Sequence, residues 1–132
     1  ITEKLEGKRI LLAEDNELNA EIAETVLVEA GIEVKRVEDG LQCIEELKKM
    51  PENYYDVILM DVQMPNMDGY TATQRIRDLD DSRAEIPIIA MTANAYDEDR
   101  RKAQEAGMDG FLAKPLDVDE MMRLLGKITK TE

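Results

Sequence analysis

The chain of 132 residues contains no histidine and no tryptophan, one cysteine and one phenylalanine. Without histidine it has no imidazole for acid–base catalysis, for metal ligation or for carrying a phosphoryl group on nitrogen. One cysteine excludes an internal disulfide. Cys43 falls inside the helical pattern Leu41-Gln42-Cys43-Ile44, where it reads as a small packing residue rather than a reactive thiol. Basic residues are scarce, 17 against 30 acidic, for a net charge of −13. Such a surface repels phosphate backbones and suits a basic partner or a bound cation, although most of its acids serve only as solvated surface. No apolar run reaches membrane-spanning length and no signal peptide opens the sequence, so a soluble cytoplasmic domain is the expectation. The start at Ile1, without Met, suggests processing or excision from a longer protein.

A hydrophobic content of 43% is enough for a buried core, and the length suits one domain. Five short apolar runs predict strands at Arg9–Ala13, Glu33–Val37, Asp56–Asp61, Ile86–Met91 and Gly110–Ala113. Runs one, three and four are almost wholly apolar, as strands buried on both faces are, whereas run two alternates and reads as an edge strand. Helical patterns lie between and after them. Asn16 caps the first, whose Leu18, Ile22, Val26 and Leu27 read as one apolar stripe. Asp39 with Gln42, and Asp117 with Glu120, make capping boxes for the second and last, the last continuing through Met121, Leu124, Leu125 and Ile128. Asp97-Glu98-Asp99 open the fourth, where negative charge suits the helix dipole. "EAGI" (29–32) and "EAGM" (105–108) end two helices with a glycine cap. A fivefold βα repeat predicts a single α/β domain over residues 1–132, with a core of about 8–128, residues 1–7 and about 127–132 frayed, and a doubly wound parallel sheet with helices on both faces.

Ligands of open α/β sheets bind beyond the carboxyl ends of the strands. There the sequence places Glu14-Asp15 after run one, Asp61 at the end of run three, Thr92-Ala93-Asn94 after run four, and Lys114-Pro115 after run five. Each has an ordinary explanation taken singly. An acidic pair is usually a polar loop, Thr92 a cap or turn residue, Lys114 solvated surface, and Asp61 a turn residue before Pro65 and Gly69. Their joint occurrence at successive strand ends does not. Three clustered carboxylates call for a hard cation, and oxygen donors with phosphate chemistry favour Mg²⁺ over zinc. A lysine and a threonine beside it suit a transferring phosphoryl group, whose charge spreads over three oxygens.

"LLAEDN" (11–16), "MDVQMPNMDG" (60–69), "PIIAMTA" (87–93) and "KP" (114–115) resemble the receiver domain of two-component response regulators, over roughly Arg9 to Ile128. "EDNELN" (14–19), "GYTATQRIR" (69–77) and "AGMDGFLAKP" (106–115) are most similar to receivers fused to hybrid histidine kinases. The resemblance implies the flavodoxin-like (βα)5 fold, with Asp61 as phosphoryl acceptor. It further implies Asp15, Asp61 and the Gln63 backbone carbonyl as ligands of Mg²⁺ (or Mn²⁺), and Glu14 acting through metal-bound water. Lys114 would contact Asp61 and then the phosphoryl oxygens, and Thr92 would bond the phosphoryl group once formed. Phe111 would be the aromatic switch, a position where its bland reading is a core residue and where the family often has Tyr. Glu14 stands where the family often has Asp. Gln63 and Asn94 would tune the rate of hydrolysis, although Asn94 serves equally as a helix cap. The Lys114-Pro115 bond matches a cis peptide of the family, while trans is the prior for such a bond alone.

The implied partners are a histidine kinase or a histidine phosphotransfer protein, with no nucleic acid contacted. The chain would catalyse its own phosphorylation and dephosphorylation without being a stand-alone enzyme. It would lie in the cytoplasm, tethered through its parent chain to a membrane-bound sensor. Three rivals fare worse. A haloacid dehalogenase-type phosphohydrolase needs an Asp where Gln63 stands. A flavodoxin-like electron carrier needs a phosphate loop where "EDNEL" is acidic. A degenerate receiver, acting only in protein interaction, would not need the set Asp15, Asp61, Thr92 and Lys114.

Overall fold

A computed structural model describes residues 5–93 and 97–129. Five parallel strands, β1 (Arg9–Ala13), β2 (Glu33–Val37), β3 (Val57–Asp61), β4 (Ile88–Thr92) and β5 (Gly110–Ala113), form one sheet in the order β2-β1-β3-β4-β5. The helices are α1 (Glu17–Glu29), α2 (Gly40–Lys49), α3 (Gly69–Arg77), α4 (Asp97–Ala106) and α5 (Val118–Ile128), with a 3₁₀ turn at Ser82–Glu85. The predicted class and strand count hold. Strand three begins one residue later than expected. The fourth is shifted to Ile88–Thr92, because Pro87 has no N–H to give a ladder and its carbonyl instead accepts from Ile58 N at 2.9 Å.

The sheet divides the core. On one face Leu11, Ala13, Ile58, Met60, Ile88 and Ala90 pack under α2, α3 and α4. On the other, Ile10, Leu12, Val57, Leu59, Ile89 and Met91 pack under α1 and α5. β3 and β4 are buried throughout, whereas β2 alternates exposed and half-buried residues as an edge strand does.

The expected stripe of α1 needs correction. Ala20, Ala23 and Leu27 face the sheet, while Leu18 and Ile22 are 65% and 53% exposed. Small side chains allow the helix to approach closely, so the large ones were turned outward. The predicted caps hold: Asn16, Asp39 and Asp117 each accept a backbone N–H from the first turn of their helices. Gly31 and Gly107 take φ of +84° and +105°, and the next residue's N–H returns to Leu27 O and Ala103 O in the two cases. Of the segments expected to fray, residues 1–4 and 130–132 lie outside the described residues, and the described parts are held in place. Leu5 is buried in the core, Gly7 N bonds Gly31 O at 2.9 Å, and α5 runs to Ile128. Cys43 is fully buried, and burial, reinforced by Asp39 and Glu46, pushes its thiol up to about 12, as suits a packing residue.

Opposite the carboxyl ends of the strands, Arg77 closes the base. Its guanidinium donates to the carbonyls of Gly107, Ala84 and Ile86 and to the Asp109 carboxylate, all within 2.9 Å.

Candidate functional site

In register, Ala13 sits beside Met60, Asp61 beside Met91, and Thr92 beside Ala113. Side chains alternate along a strand. Counting on from Leu12, Leu59 and Leu112, all in the core under α1 and α5, alternation sends Glu14, Asp61 and Lys114 to one side of the sheet rim. The same count from Ala90 sends Thr92 to the other side, where Phe111 packs.

Lys114 Nζ lies 2.9 Å from Glu14 Oε1 and 3.1 Å from Asp61 Oδ2. Glu14 and Asp61 are buried and Asp15 is exposed, and carboxylate oxygens of all three lie within 4.8 Å of one another. The donor set is all hard oxygen, with three carboxylates against one ammonium, which fits a divalent ion such as Mg²⁺ and not a thiol- or imidazole-seeking metal. Gln63 N donates to Asp61 Oδ1 at 3.2 Å, holding the carboxylate against its own loop. Thr92 is 3% exposed, and its carbonyl accepts Lys114 N at 2.7 Å. Phe111 is half-buried with the Arg100 guanidinium 4.8 Å from its ring centroid. Lys114-Pro115 is cis. Asn94 lies outside the described residues.

Burial raises the Asp61 carboxyl, and the Glu14 charge raises it further. Lys114 and the Gln63 N–H pull it back, leaving it at about 6. Burial would lower Lys114, but its bonds to Glu14 and Asp61 hold it above the ordinary range. The folded Asp61 therefore keeps its proton up to about 6, while an unfolded Asp releases it near 3.8. Between these values the native state binds more protons, so stability falls as pH rises. Asp61→Asn is accordingly expected to stabilise the metal-free protein by about 1–3 kcal/mol at pH 8. The gain should fade by pH 4 in urea titrations with chelator present. An equal gain at both pH values would show that ionisation is not the cause.

Two contributors were not singled out from the sequence. Arg36 donates to the Glu14 and Asp15 carbonyls, from Nε at 3.1 Å and from Nη2 at 3.2 Å. Asp39, read only as a helix cap, also accepts from Asn66 Nδ2 at 2.7 Å. A left-handed Asn after Pro65 was the one local signal, since asparagine tolerates φ near +66° better than most residues.

The model of the response regulator receiver domain matches residues 10–126. The peroxide stress-activated histidine kinase mak1 of Schizosaccharomyces pombe is 40% identical over 124 residues, 92% of this chain and 8% of the kinase. The chain thus spans a small fraction, 5% to 8%, of the first curated relatives it matches. Among solved structures, the receiver domain of a sensor histidine kinase from Pseudomonas aeruginosa PAO1 is 41% identical with a TM-score of 0.85. That comparison covers 95% of this chain and 99% of the other, and the structure has a magnesium ion coordinated in its active site cleft. The receiver domain of Ssk1 from Saccharomyces cerevisiae, crystallised with the histidine phosphotransfer protein Ypd1, superposes with a TM-score of 0.85. It is 26% identical, over 95% of this chain and 90% of that one.

Proposed function

The chain belongs to the response regulator receiver domains, and from that membership we propose that Asp61 accepts a phosphoryl group from a partner's phosphohistidine and that the domain signals through the resulting change. The supporting observation is the Lys114 ammonium held between Glu14 Oε1 and Asp61 Oδ2, at 2.9 and 3.1 Å. It fixes the Asp61 carboxylate at the end of a buried strand, so little freedom is lost when the donor arrives.

One Asp61 oxygen attacks phosphorus. A P–O bond forms, the P–N bond of the donor breaks, and its electron pair returns to the partner's imidazole. The product is an aspartyl phosphate. Lys114 exchanges its contact with Asp61 for the transferred phosphoryl oxygens, and the Thr92 hydroxyl bonds a further one. Asp15, Asp61 and the Gln63 carbonyl, with Glu14 through water, would hold Mg²⁺ or Mn²⁺, which when bound supplies positive charge to the phosphoryl oxygens. Thr92 and Phe111 lie on the same side of the sheet, so drawing Thr92 toward the phosphoryl group frees space beside the ring and changes the α4–β5 face. Gln63 and Asn94 would tune hydrolysis of the acyl phosphate.

The chain carries no histidine, so the donor is another protein segment. Histidine kinases among the relatives and the phosphotransfer protein bound to the Ssk1 receiver support a kinase or phosphotransfer partner. Among the described residues no helix is long and apolar enough to cross a membrane. Placement in the cytoplasm, as part of a longer sensor kinase, belongs to this same proposal.

Intact mass after incubation with acetyl phosphate is the direct test. One Mg²⁺-dependent phosphoryl adduct is expected on the wild type and none on Asp61→Asn. An unmodified wild type, under conditions that modify another receiver, would reduce the domain to an interaction module.

A further inference from the structure

Residues 36–40, the end of β2, the β2–α2 connection proper and the first residue of α2, supply none of the groups assigned above to phosphoryl chemistry, yet they touch both loops that do. Toward the first acidic loop, Arg36 Nε and Nη2 donate to the carbonyls of Glu14 and Asp15, and Glu14 N bonds Val37 O at 3.1 Å. Toward the loop that follows Asp61, the buried Asp39 carboxylate accepts Asn66 Nδ2 at 2.7 Å, and Gly40 N bonds Met67 O at 3.0 Å. A Cβ on Gly40 would stand 2.7 Å from Met67 O and 3.1 Å from Asp68 O, so the two backbones meet there without room for a side chain.

These bonds lie where the sheet stops holding the loops together. The β1–β3 ladder ends at the Ala13–Met60 row. Beyond it stand three carboxylates whose oxygens approach within 4.8 Å and repel one another. We infer that residues 36–40 are the bracket that sets their spacing, with Arg36 and Asp39 as positioning residues for the metal site. Arg36 holds the loop of Glu14 and Asp15 by its peptide oxygens and does not engage the carboxylates. Asp39 holds the loop of Gln63 by the Asn66 amide. Because both anchors belong to one short segment, the two loops share a common reference.

The inference rests on the divalent-ion reading above, and its signature differs from a loss of stability. Mg²⁺ demands a near-ideal octahedron of close oxygens, whereas Ca²⁺ accepts longer and irregular coordination. A bracket that fixes spacing therefore matters more to Mg²⁺ than to Ca²⁺. Arg36→Met keeps the aliphatic stem and removes the fork. Asn66→Gly keeps the left-handed backbone and removes the amide.

Calorimetric titration of the metal-free wild type and both variants with Mg²⁺ and with Ca²⁺ tests this, alongside thermal melts. Each variant is expected to lose Mg²⁺ affinity by about tenfold or more, the usual cost of removing a group that orients ligands, with a clearly smaller loss for Ca²⁺. Arg36→Lys, which keeps the charge and one donor, substitutes if Arg36→Met does not fold. Equal losses for both ions, or none, overturn the bracket while leaving the receiver reading intact. A wild type that binds no Mg²⁺ overturns both.

Discussion

Replacing Lys114 by methionine is expected to destabilise the metal-free protein by about 3–5 kcal/mol at pH 8, the usual cost of stripping one partner from a buried ion pair. Its ammonium is the group that separates Glu14 from Asp61, both of which are buried. Lys114 is raised, so its stabilisation is fully present below the ordinary lysine range and is lost only as pH rises through its higher native value. Throughout pH 5–8 the wild type thus retains it. In the variant, Asp61 loses the influence that draws it down to about 6 and rises further. As pH falls, the variant's Asp61 then takes up its proton before the wild type's does at about 6, and by pH 5 the Asp61 carboxyl is neutral in both, so the cost should shrink markedly between pH 8 and pH 5. Urea unfolding at pH 5 and pH 8 in chelator measures the difference, and a penalty independent of pH would contradict it. Phosphorylation by acetyl phosphate with Mg²⁺ present should slow by about a hundredfold or more, as expected when a group that stabilises transition-state charge is removed.

The second large effect runs against helix propensity. Gly69 is the first residue of α3, and alanine there would ordinarily stabilise a helix by up to about 1 kcal/mol. A Cβ at this position, however, would lie 2.3 Å from the Asp61 carbonyl oxygen, 2.9 Å from Met60 Cγ and 3.0 Å from Val62 Cα. None of these belongs to the free end of a surface side chain, so β3 or α3 must shift. Gly69→Ala is expected to cost about 3 kcal/mol, at the upper end for overpacking. It should also weaken Mg²⁺ binding by displacing the Asp61 backbone. A variant as stable as the wild type, with unchanged Mg²⁺ affinity, would show that the helix moves away without consequence.

The clustering of Glu14, Asp15, Asp61 and Lys114 was legible in the sequence because these residues sit at the ends of strands whose apolar runs announce themselves. Asp61 interrupts Val57–Met60, and Glu14-Asp15 interrupts Arg9–Ala13. Parallel order then converts four sequence interruptions into one rim. What was illegible depended on contacts between elements. The spacing of Leu18 and Ile22 is as helical as that of Ala20 and Ala23, and only the distance between α1 and the sheet decides which pair faces inward. Arg36 reads as one more charge on an alternating edge strand. Its role depends on the strand lying beside β1, where its fork meets the Glu14 and Asp15 carbonyls. Asp39 was found by its capping spacing, but the same carboxylate's second bond, to Asn66, spans 27 residues and leaves no periodic trace.

The pairing of β1 directly with β3 places β2 outside both, so Glu14 and Asp61 become neighbours only after the chain between them has made its excursion to the sheet edge and returned. Along the chain the two carboxylates lie on separate segments, and only this order of strands sets them side by side. The acidic cluster is thereby a certificate of completed topology, present only where the crossover has been made.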